Sequence, residues 1–349
     1  MSKSEIVDIS IDWEKKIAKE IVFVDGLPGV GKTLFSYLLP TFKRIEKLDW
    51  AESIENVCEL YQLNKIPLDG ASKLISLYTD LILYNQMMGR HSNVRPEDQS
   101  SIFSYPNPKE YFERFFLKGD AEVLPIIKQE KPILNIAVHH KLPFCKPILT
   151  VFGRNAYFLE VIRHPAYMIK QIYTSTMKDL IGNPRYWTVH YNYKGHSLPY
   201  WVYGYEEIFL KSNDVERSIH FINEHQKRTD EFKNSKDGKN CNILTICFED
   251  FVLSPDDGLN KITDFLKTSK TEFTDPMLVK QNVPRDQTVE SIDLEYYRRV
   301  GGSSKLHKGK TEREEVDSRI NWVKNNVNKN AYNIFIELCE KYEKKIWEP

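Results

Sequence analysis

The segment Gly26 to Thr33, which reads Gly-Leu-Pro-Gly-Val-Gly-Lys-Thr, is the first indication of chemistry in this chain of 349 residues. It fits the phosphate-binding pattern G-x-x-x-x-G-K-[ST] at every fixed position. Glycines allow positive φ and a close approach of the backbone, so successive N–H groups can point at one anion. The segment therefore predicts a nucleotide-phosphate site in which Gly26, Gly29 and Gly31 shape the loop, Lys32 supplies a charge and Thr33 a hydroxyl.

Lys32 is also the residue that we expect to stabilise charge on a departing phosphate oxygen during a transfer reaction. We expect its side chain to be exposed in the empty loop, so that its removal leaves the fold intact. The motif follows a short β-branched run and precedes a helical segment, which is the context that a phosphate-binding loop requires.

Four short apolar runs predict the strands that position this loop, at residues 21–25, 133–138, 157–162 and 243–248. Helical patterns lie between and after them, at 34–39, 51–63, 71–88, 111–116, 166–180, 214–228 and 257–267. Alternating strands and helices indicate a parallel sheet with helical crossovers. We predict an α/β protein with a three-layer P-loop fold, in which a central parallel sheet is flanked by helices. Residues 1–349 should form one domain, with an aromatic-rich insertion around 184–209 and C-terminal helices over 311–346.

Polar side chains follow three of these runs at the point where each strand should end. They are the pair His139 and His140, then Arg163, and then Glu249. Ligands of open parallel sheets bind at the carboxyl ends of the strands. We therefore expect Lys32, His140, Arg163 and Glu249 to lie together at one edge of the sheet.

The composition narrows the classes of partner. Lysine and arginine number 49, as do aspartate and glutamate, so no overall field favours nucleic acid or an anionic membrane. Five scattered cysteines without CxxC spacing indicate reduced thiols. The N-terminus has no apolar signal segment, and no apolar run approaches the roughly 18 residues that span a bilayer. We expect a cytoplasmic protein with no membrane span, no nucleic-acid partner and an undetermined oligomeric state.

Several segments together resemble a known family. Residues 158–165 (Phe-Leu-Glu-Val-Ile-Arg-His-Pro) are similar to the second signature of the sulfotransferases, and 246–252 are similar to the family's Tyr-Glu-Asp-Leu element. Residues 138–143 resemble its Thr-His-Leu-Pro segment, and 307–310 resemble its basic Lys-Gly segment. These segments follow one another along the chain in the same order as in the family. The phosphate loop is atypical, since it is closer to a Walker A motif than to the family's Pro-Lys/Arg-Ser-Gly-Thr-Thr.

The resemblance implies roles for particular residues. The donor would be 3′-phosphoadenosine 5′-phosphosulfate (PAPS), with Arg163, Lys308 and Gly309 at its 3′-phosphate. Gln171 stands where the family has a serine ligand of that phosphate. A histidine would be the catalytic base, and we assign this role to His140 or, failing that, to His139, because a neutral imidazole has a pKa near working pH.

The predicted activity is therefore in-line transfer of a sulfuryl group from PAPS to a hydroxyl or amine of a small-molecule or glycan acceptor, with no protein-bound metal. The main alternative is a P-loop kinase or NTPase that uses ATP with Mg²⁺, in which Thr33 and Glu249-Asp250 hold the metal. A third possibility is a non-catalytic nucleotide-binding module. The aromatic residues of 184–209 are consistent both with a wall of an acceptor pocket and with a packed insertion that covers the sheet.

Overall fold

Five parallel strands, in the order β2-β3-β1-β4-β7, form the centre of the computed structural model, which describes residues 11, 16–96, 98, 100–105, 107–290 and 311–347. A separate antiparallel hairpin joins β5 and β6. The strands are β1 (Glu20–Asp25), β2 (Ile45–Trp50), β3 (Ile133–Ala137), β4 (Ala156–Ile162), β5 (His190–Tyr193), β6 (His196–Pro199) and β7 (Asn242–Cys247).

The helices in the first half are α1 (Lys32–Leu38), α2 (Glu52–Gln62), α3 (Leu68–Met87), α4 (Pro108–Glu113), α5 (Asp120–Glu130), α6 (Lys146–Phe152) and α7 (Pro165–Gln171). The chain continues from α7 as a π-helix over Ile172–Leu180. The later helices are α8 (Glu206–Lys211), α9 (Asp214–Asn234), α10 (Lys236–Asn240), α11 (Phe248–Leu253), α12 (Pro255–Leu266), α13 (Thr274–Lys280), α14 (Glu312–Lys324) and α15 (Lys329–Trp347).

The central strand β1 is buried on both faces, which explains its continuous apolar sequence. Val22 and Val24 pack into one core with residues of α1, α7, α9 and α12. Ile21 and Phe23 point to the opposite core, which contains residues of α2, α3, α5 and α6. Successive side chains of a strand alternate between faces, so one strand serves two helical layers. The predicted three-layer α/β fold and the four predicted strands are confirmed.

The edge strand β2 is missing from the sequence-based prediction because its sequence, Ile-Glu-Lys-Leu-Asp-Trp, is not a continuous apolar run. Glu46 is nevertheless buried, and its carboxylate accepts hydrogen bonds from Arg114 Nη1 at 2.6 Å and Nη2 at 3.0 Å. This long-range pair makes burial of the charge possible. The hairpin of β5 and β6 was also not predicted, since its short strands are rich in His, Asn and Ser.

Two glycines of the phosphate loop are required by close contacts. Gly26 has φ 145°, and a Cβ there would lie 2.5 Å from the carbonyl oxygen of Val161. Gly31 has φ 96°, and a Cβ would lie 2.2 Å from the ring of Phe248. The loop can therefore pass between β4 and Phe248 only because these positions lack side chains.

Gly31→Ala tests this packing requirement. Both Gly31 and Gly195 have positive φ, but a Cβ at Gly195 would have no neighbour within 4 Å. Backbone strain should therefore be similar at the two positions, at about 1–2 kcal/mol, whereas Phe248 must also move in Gly31→Ala, at a further cost of roughly 1–3 kcal/mol. Urea denaturation of both variants measures the difference. Equal losses of stability would show that Phe248 does not confine the loop.

Candidate active site

A cavity of about 860 Å³ lies where the phosphate loop meets the carboxyl ends of the strands. Most of the predicted site residues line it, namely Gly29, Gly31, Lys32, Thr33, His139, His140, Arg163 and Gln171. Gly26 instead lines a neighbouring cavity of about 270 Å³. Glu249 is not among the lining residues of the larger cavity. Lys308 and Gly309 lie outside the described residues.

Lys32 does not have the exposed position that we expected. Its side chain is buried, and its ammonium donates hydrogen bonds to the carbonyl oxygens of Gly26 at 2.6 Å and Leu27 at 3.1 Å. The expectation was wrong because the loop carbonyls that the glycines turn inward capture the lysine. Burial lowers the pKa of Lys32 from its usual 10.5 to about 8, against the opposing effect of Asp25 and Glu55. Removing Lys32 would therefore also disturb the loop.

Asp25, at the end of β1, joins the phosphate loop to the segment that carries the histidines. Its carboxylate accepts hydrogen bonds from the backbone N–H of Gly26 at 2.8 Å, Lys141 at 3.0 Å and Leu142 at 2.7 Å. Buried carboxylates need such donors, and hydrogen bonds to an ionised acceptor are the stronger ones. One side chain thus sets the position of the phosphate loop relative to His139 and His140.

Arg163 is held against the phosphate loop rather than in a simple ion pair. Its Nη1 donates to the carbonyl oxygen of Gly29 at 3.0 Å, and its guanidinium lies 4.4 Å from the ring centroid of Phe248. Glu249 approaches only to 4.0 Å from Nε, and the buried Nε has no hydrogen-bond partner among the described residues. Burial lowers the pKa of Arg163 from its usual value. A half-buried guanidinium with an unsatisfied donor is well suited to bind an anion.

Gln171 lies beside the loop on the same wall. A Cβ at Gly29 would come within 3.2 Å of the Gln171 side-chain oxygen, which places the amide directly against the loop. The π-helix begins at the next residue and brings Ser175 and Thr176 to the cavity. Short π-helical stretches occur frequently at functional sites.

His139 forms a pair with Glu55 of α2. Its Nδ1 lies 3.1 Å from Glu55 Oε1, and its backbone N–H donates to Glu55 Oε2 at 2.9 Å. The ring stacks on Trp50, with centroids 5.5 Å apart, and 43% of the side chain remains exposed. An imidazole oriented by a carboxylate and open to a cavity is the usual arrangement of a general base.

His140 has a different environment. It is buried, with φ 46°, and its Nδ1 lies 2.9 Å from the hydroxyl of Tyr200. Phe221 and His225 pack edge-on against its ring. Burial, followed by the charge of Lys141, holds the pKa of His140 well below its usual value, so the ring is neutral at physiological pH.

The next residue, Lys141, is buried at the floor of the cavity between two carboxylates of α2. Its ammonium donates to Glu59 Oε1 at 2.6 Å and lies 3.3 Å from Glu55 Oε2. Burial alone would raise the pKa of Glu55, but Lys141 and His139 outweigh it and lower that pKa to about 2. Glu55, Glu59 and Lys141 are site residues that our sequence analysis did not identify, and Tyr200 was included only as one of the aromatic residues of 184–209. The spacing of Glu55 and Glu59, four residues apart on one helix, was the available signal.

The aromatic segment 184–209 combines the two arrangements that the sequence left open, a wall of a pocket and a packed insertion. Tyr200 and Trp201 are buried in the core yet also line the cavity. Trp187 lines the same cavity with 64% of its surface exposed. The segment therefore packs over the sheet and contributes a wall of the cavity.

The carboxylate of Glu249 is hydrogen-bonded to groups that do not line the larger cavity. It accepts hydrogen bonds from the backbone N–H of His164 at 3.0 Å and from the hydroxyl of Tyr342 at 2.5 Å, and so joins α11 to the start of α7 and to α15. In the part of the chain that the structure describes, no group of three or more His, Cys, Asp or Glu side chains is arranged to hold a metal ion. Within the same residues, no helix has the length and apolar character to cross a membrane.

The ion pair of Glu55 predicts a specific acid sensitivity. Its pKa in the folded protein, about 2, lies below the usual 4.5, so its contribution is present above pH 4.5 and is lost as the pH falls towards 2. The free energy of unfolding should drop by about 3 kcal/mol over this range through Glu55 alone. Urea denaturation between pH 5 and pH 2 should show that the free energy of unfolding depends less steeply on pH in Glu55→Gln than in the wild type. Glu113→Gln, at an exposed position on α4, is the control and should follow the wild type. An unchanged slope in Glu55→Gln would contradict the ion-pair assignment.

The chain was compared with known proteins. No protein-family model matches it, and no curated protein matches it. Among solved structures, the sulfotransferase domain from the curacin biosynthetic pathway is similar at 13% identity, with a TM-score of 0.43, over 87% of this chain and 97% of that one. The sulfotransferase domain of the Synechococcus PCC 7002 olefin synthase matches at 13% identity and a TM-score of 0.41, over 95% and 98%. Sulfotransferase STF9 from Mycobacterium avium is similar at 13% identity, with a TM-score of 0.39, over 90% of this chain and 78% of that one. Because all three TM-scores are below 0.5, we argue function from the site itself.

Proposed function

We propose that this chain is a sulfotransferase that moves a sulfuryl group from PAPS to a hydroxyl or amine of a small-molecule or glycan acceptor. The observation that carries the proposal is Arg163, a half-buried guanidinium held on the phosphate loop, whose buried Nε has no hydrogen-bond partner among the described residues. It shares one cavity with Lys32 and with the His139–Glu55 pair. Anion recognition and a general base in one enclosed space are the two requirements of this reaction.

The donor would occupy the loop side of the cavity. Arg163 can grip the 3′-phosphate through its planar fork, and Gln171 lies next to it as a neutral hydrogen-bonding partner. Thr33 and the loop backbone would hold the 5′-phosphosulfate. An anion beside Lys32 favours the protonated ammonium, which is the form that stabilises charge on the departing phosphate oxygen.

His139 would be the base, and the exposure of its ring together with the Glu55 contact favours it over the buried His140. The acceptor oxygen or nitrogen forms a bond to sulfur as the bond between sulfur and the bridging phosphate oxygen breaks in line. The acceptor proton passes to Nε2 of His139, and adenosine 3′,5′-bisphosphate leaves. Glu55 stabilises the resulting imidazolium.

The second candidate is a kinase or NTPase that uses ATP with Mg²⁺, and the full Walker A match of the loop favours it. Its metal would need a carboxylate near Thr33. Glu249, the strand-end carboxylate available for this role, is engaged by His164 and Tyr342 instead. We therefore rank the sulfotransferase first.

We also place the protein in a reducing compartment such as the cytoplasm. All five cysteines are free thiols, and Cys58, Cys145 and Cys339 are buried. Free thiols of this kind persist where glutathione and thioredoxin keep them reduced.

Arg163→Lys tests the donor assignment, because PAPS has a 3′-phosphate and adenosine 5′-phosphosulfate lacks one. The variant keeps the positive charge and loses the planar guanidinium that can donate two parallel hydrogen bonds to one phosphate. Binding of adenosine 3′,5′-bisphosphate should weaken by about 1–3 kcal/mol, and binding of adenosine 5′-phosphosulfate should change little. Calorimetric titration of both nucleotides measures the two affinities.

Arg185→Lys is the matched control, since Arg185 also lines the cavity but is exposed at its rim. It should leave both affinities near those of the wild type. If Arg163→Lys weakens both nucleotides equally and lowers the melting temperature, then Arg163 only braces the loop, and the sulfotransferase proposal loses its principal support.

A further inference from the structure

The side chain of Lys141 is 2% exposed, and its ammonium has three oxygen partners. These are Glu59 Oε1 at 2.6 Å, the Tyr200 hydroxyl at 2.7 Å and Glu55 Oε2 at 3.3 Å. An ammonium group only donates, so the Glu59 and Tyr200 oxygens accept its hydrogen bonds, and Glu55 Oε2 pairs with it by charge. Two of these partners in turn contact a histidine, so two paths lead from Lys141 to the rings, one starting with the hydrogen bond to Tyr200 and one with the ion pair to Glu55.

The first path determines the proton on His140. Because the Tyr200 oxygen accepts from Lys141, its own hydrogen is available to donate. The nearest ring nitrogen is Nδ1 of His140, at 2.9 Å, compared with 3.4 Å for Nε2. Donation of this hydrogen to Nδ1 leaves no buried hydroxyl hydrogen unsatisfied, and the neutral ring then carries its own hydrogen on Nε2.

The second path determines the proton on His139. Glu55 is ionised, and a carboxylate only accepts, so Nδ1 of His139 must be the donor at 3.1 Å. The neutral ring then has a free lone pair on Nε2. Lys141 holds Glu55 from the other side, and the backbone N–H of His139 fixes the second carboxylate oxygen.

We propose that Lys141 is a positioning residue that gives the two histidines opposite tautomers, through Tyr200 to His140 and through Glu55 to His139. His139 alone is left with a free Nε2 lone pair for a substrate proton. The catalytic meaning of this arrangement rests on the proposed function, but the tautomers themselves belong to the free protein. Burial and the charges of Lys141 and His225 lower the pKa of His140, which keeps it neutral and consistent with this role.

Long-range ¹H–¹⁵N spectra of the full chain with ¹⁵N-labelled histidine test the proposal, since they report which nitrogen of each ring carries hydrogen. The free protein is measured near pH 7.5 without nucleotide, and His139→Gln and His140→Gln assign the two rings. The wild type should show His139 protonated on Nδ1 and His140 protonated on Nε2. A wild-type His140 with its hydrogen on Nδ1 would overturn the proposal.

Tyr200→Phe breaks the path to His140 by removal of one oxygen. His140 should then lose its single tautomer and exchange between the two forms, whereas His139 should not change. Tyr186→Phe is the matched control, because the Tyr186 hydroxyl also lies at the cavity but accepts from Trp201 Nε1 at 2.8 Å. It should leave both rings as in the wild type. An unaltered His140 in Tyr200→Phe would refute the first path.

Lys141→Met removes the origin of both paths, and both rings should lose their single tautomers; two unchanged rings would overturn the proposal. If this variant does not fold, the comparison of Tyr200→Phe with Tyr186→Phe decides. None of these spectra involves PAPS. If the protein does not bind adenosine 3′,5′-bisphosphate, the sulfotransferase proposal is rejected and the tautomer result stands. If the spectra contradict the tautomers, the nucleotide-binding result stands.

Discussion

The burial of the Lys141 ammonium imposes a requirement on three separate parts of the chain. A buried charge is tolerated only with paired charges and satisfied hydrogen bonds, and loss of one partner of such a pair typically costs 3–5 kcal/mol. Here the partners come from α2, through Glu55 and Glu59, and from the aromatic segment, through Tyr200. The backbone of Lys141 is fixed as well, because its N–H donates to Asp25 at the end of β1. One buried cation thus holds the histidines, α2 and the aromatic wall in a single arrangement next to the phosphate loop.

The cations on the loop side have the opposite character. Lys32 donates to the carbonyl oxygens of Gly26 and Leu27, and Arg163 has one carboxylate at 4.0 Å and, among the described residues, no hydrogen-bond partner for its Nε. Neither has the close carboxylate partners that neutralise Lys141. The cavity therefore pairs its cation closely with carboxylates beside the histidines, and it holds Lys32 and Arg163 at the phosphate loop without such close pairing. This division of charge suits both halves of the proposed transfer reaction within one cavity.

Local patterns were sufficient to predict the phosphate loop, the four core strands and the convergence of Lys32, His140 and Arg163 on one cavity, because parallel strands end at a common edge. Properties that depend on long-range contacts could not be read in this way. Glu46 can be buried in β2 because Arg114, distant in sequence, neutralises it. Lys32 is buried because its own loop folds over it. The distinction between His139 and His140 depends on Glu55 and Tyr200, neither of which is adjacent in sequence.

The central claim is that the phosphate loop and Arg163 together bind a nucleotide with a 3′-phosphate, and calorimetry tests it most directly. The wild-type chain is titrated with adenosine 3′,5′-bisphosphate in the presence of a chelator and, separately, with ATP and Mg²⁺. We predict saturable binding of the bisphosphate without magnesium, at an affinity well above that for Mg-ATP. Tight binding of Mg-ATP with no binding of the bisphosphate would contradict the account and favour the kinase or NTPase.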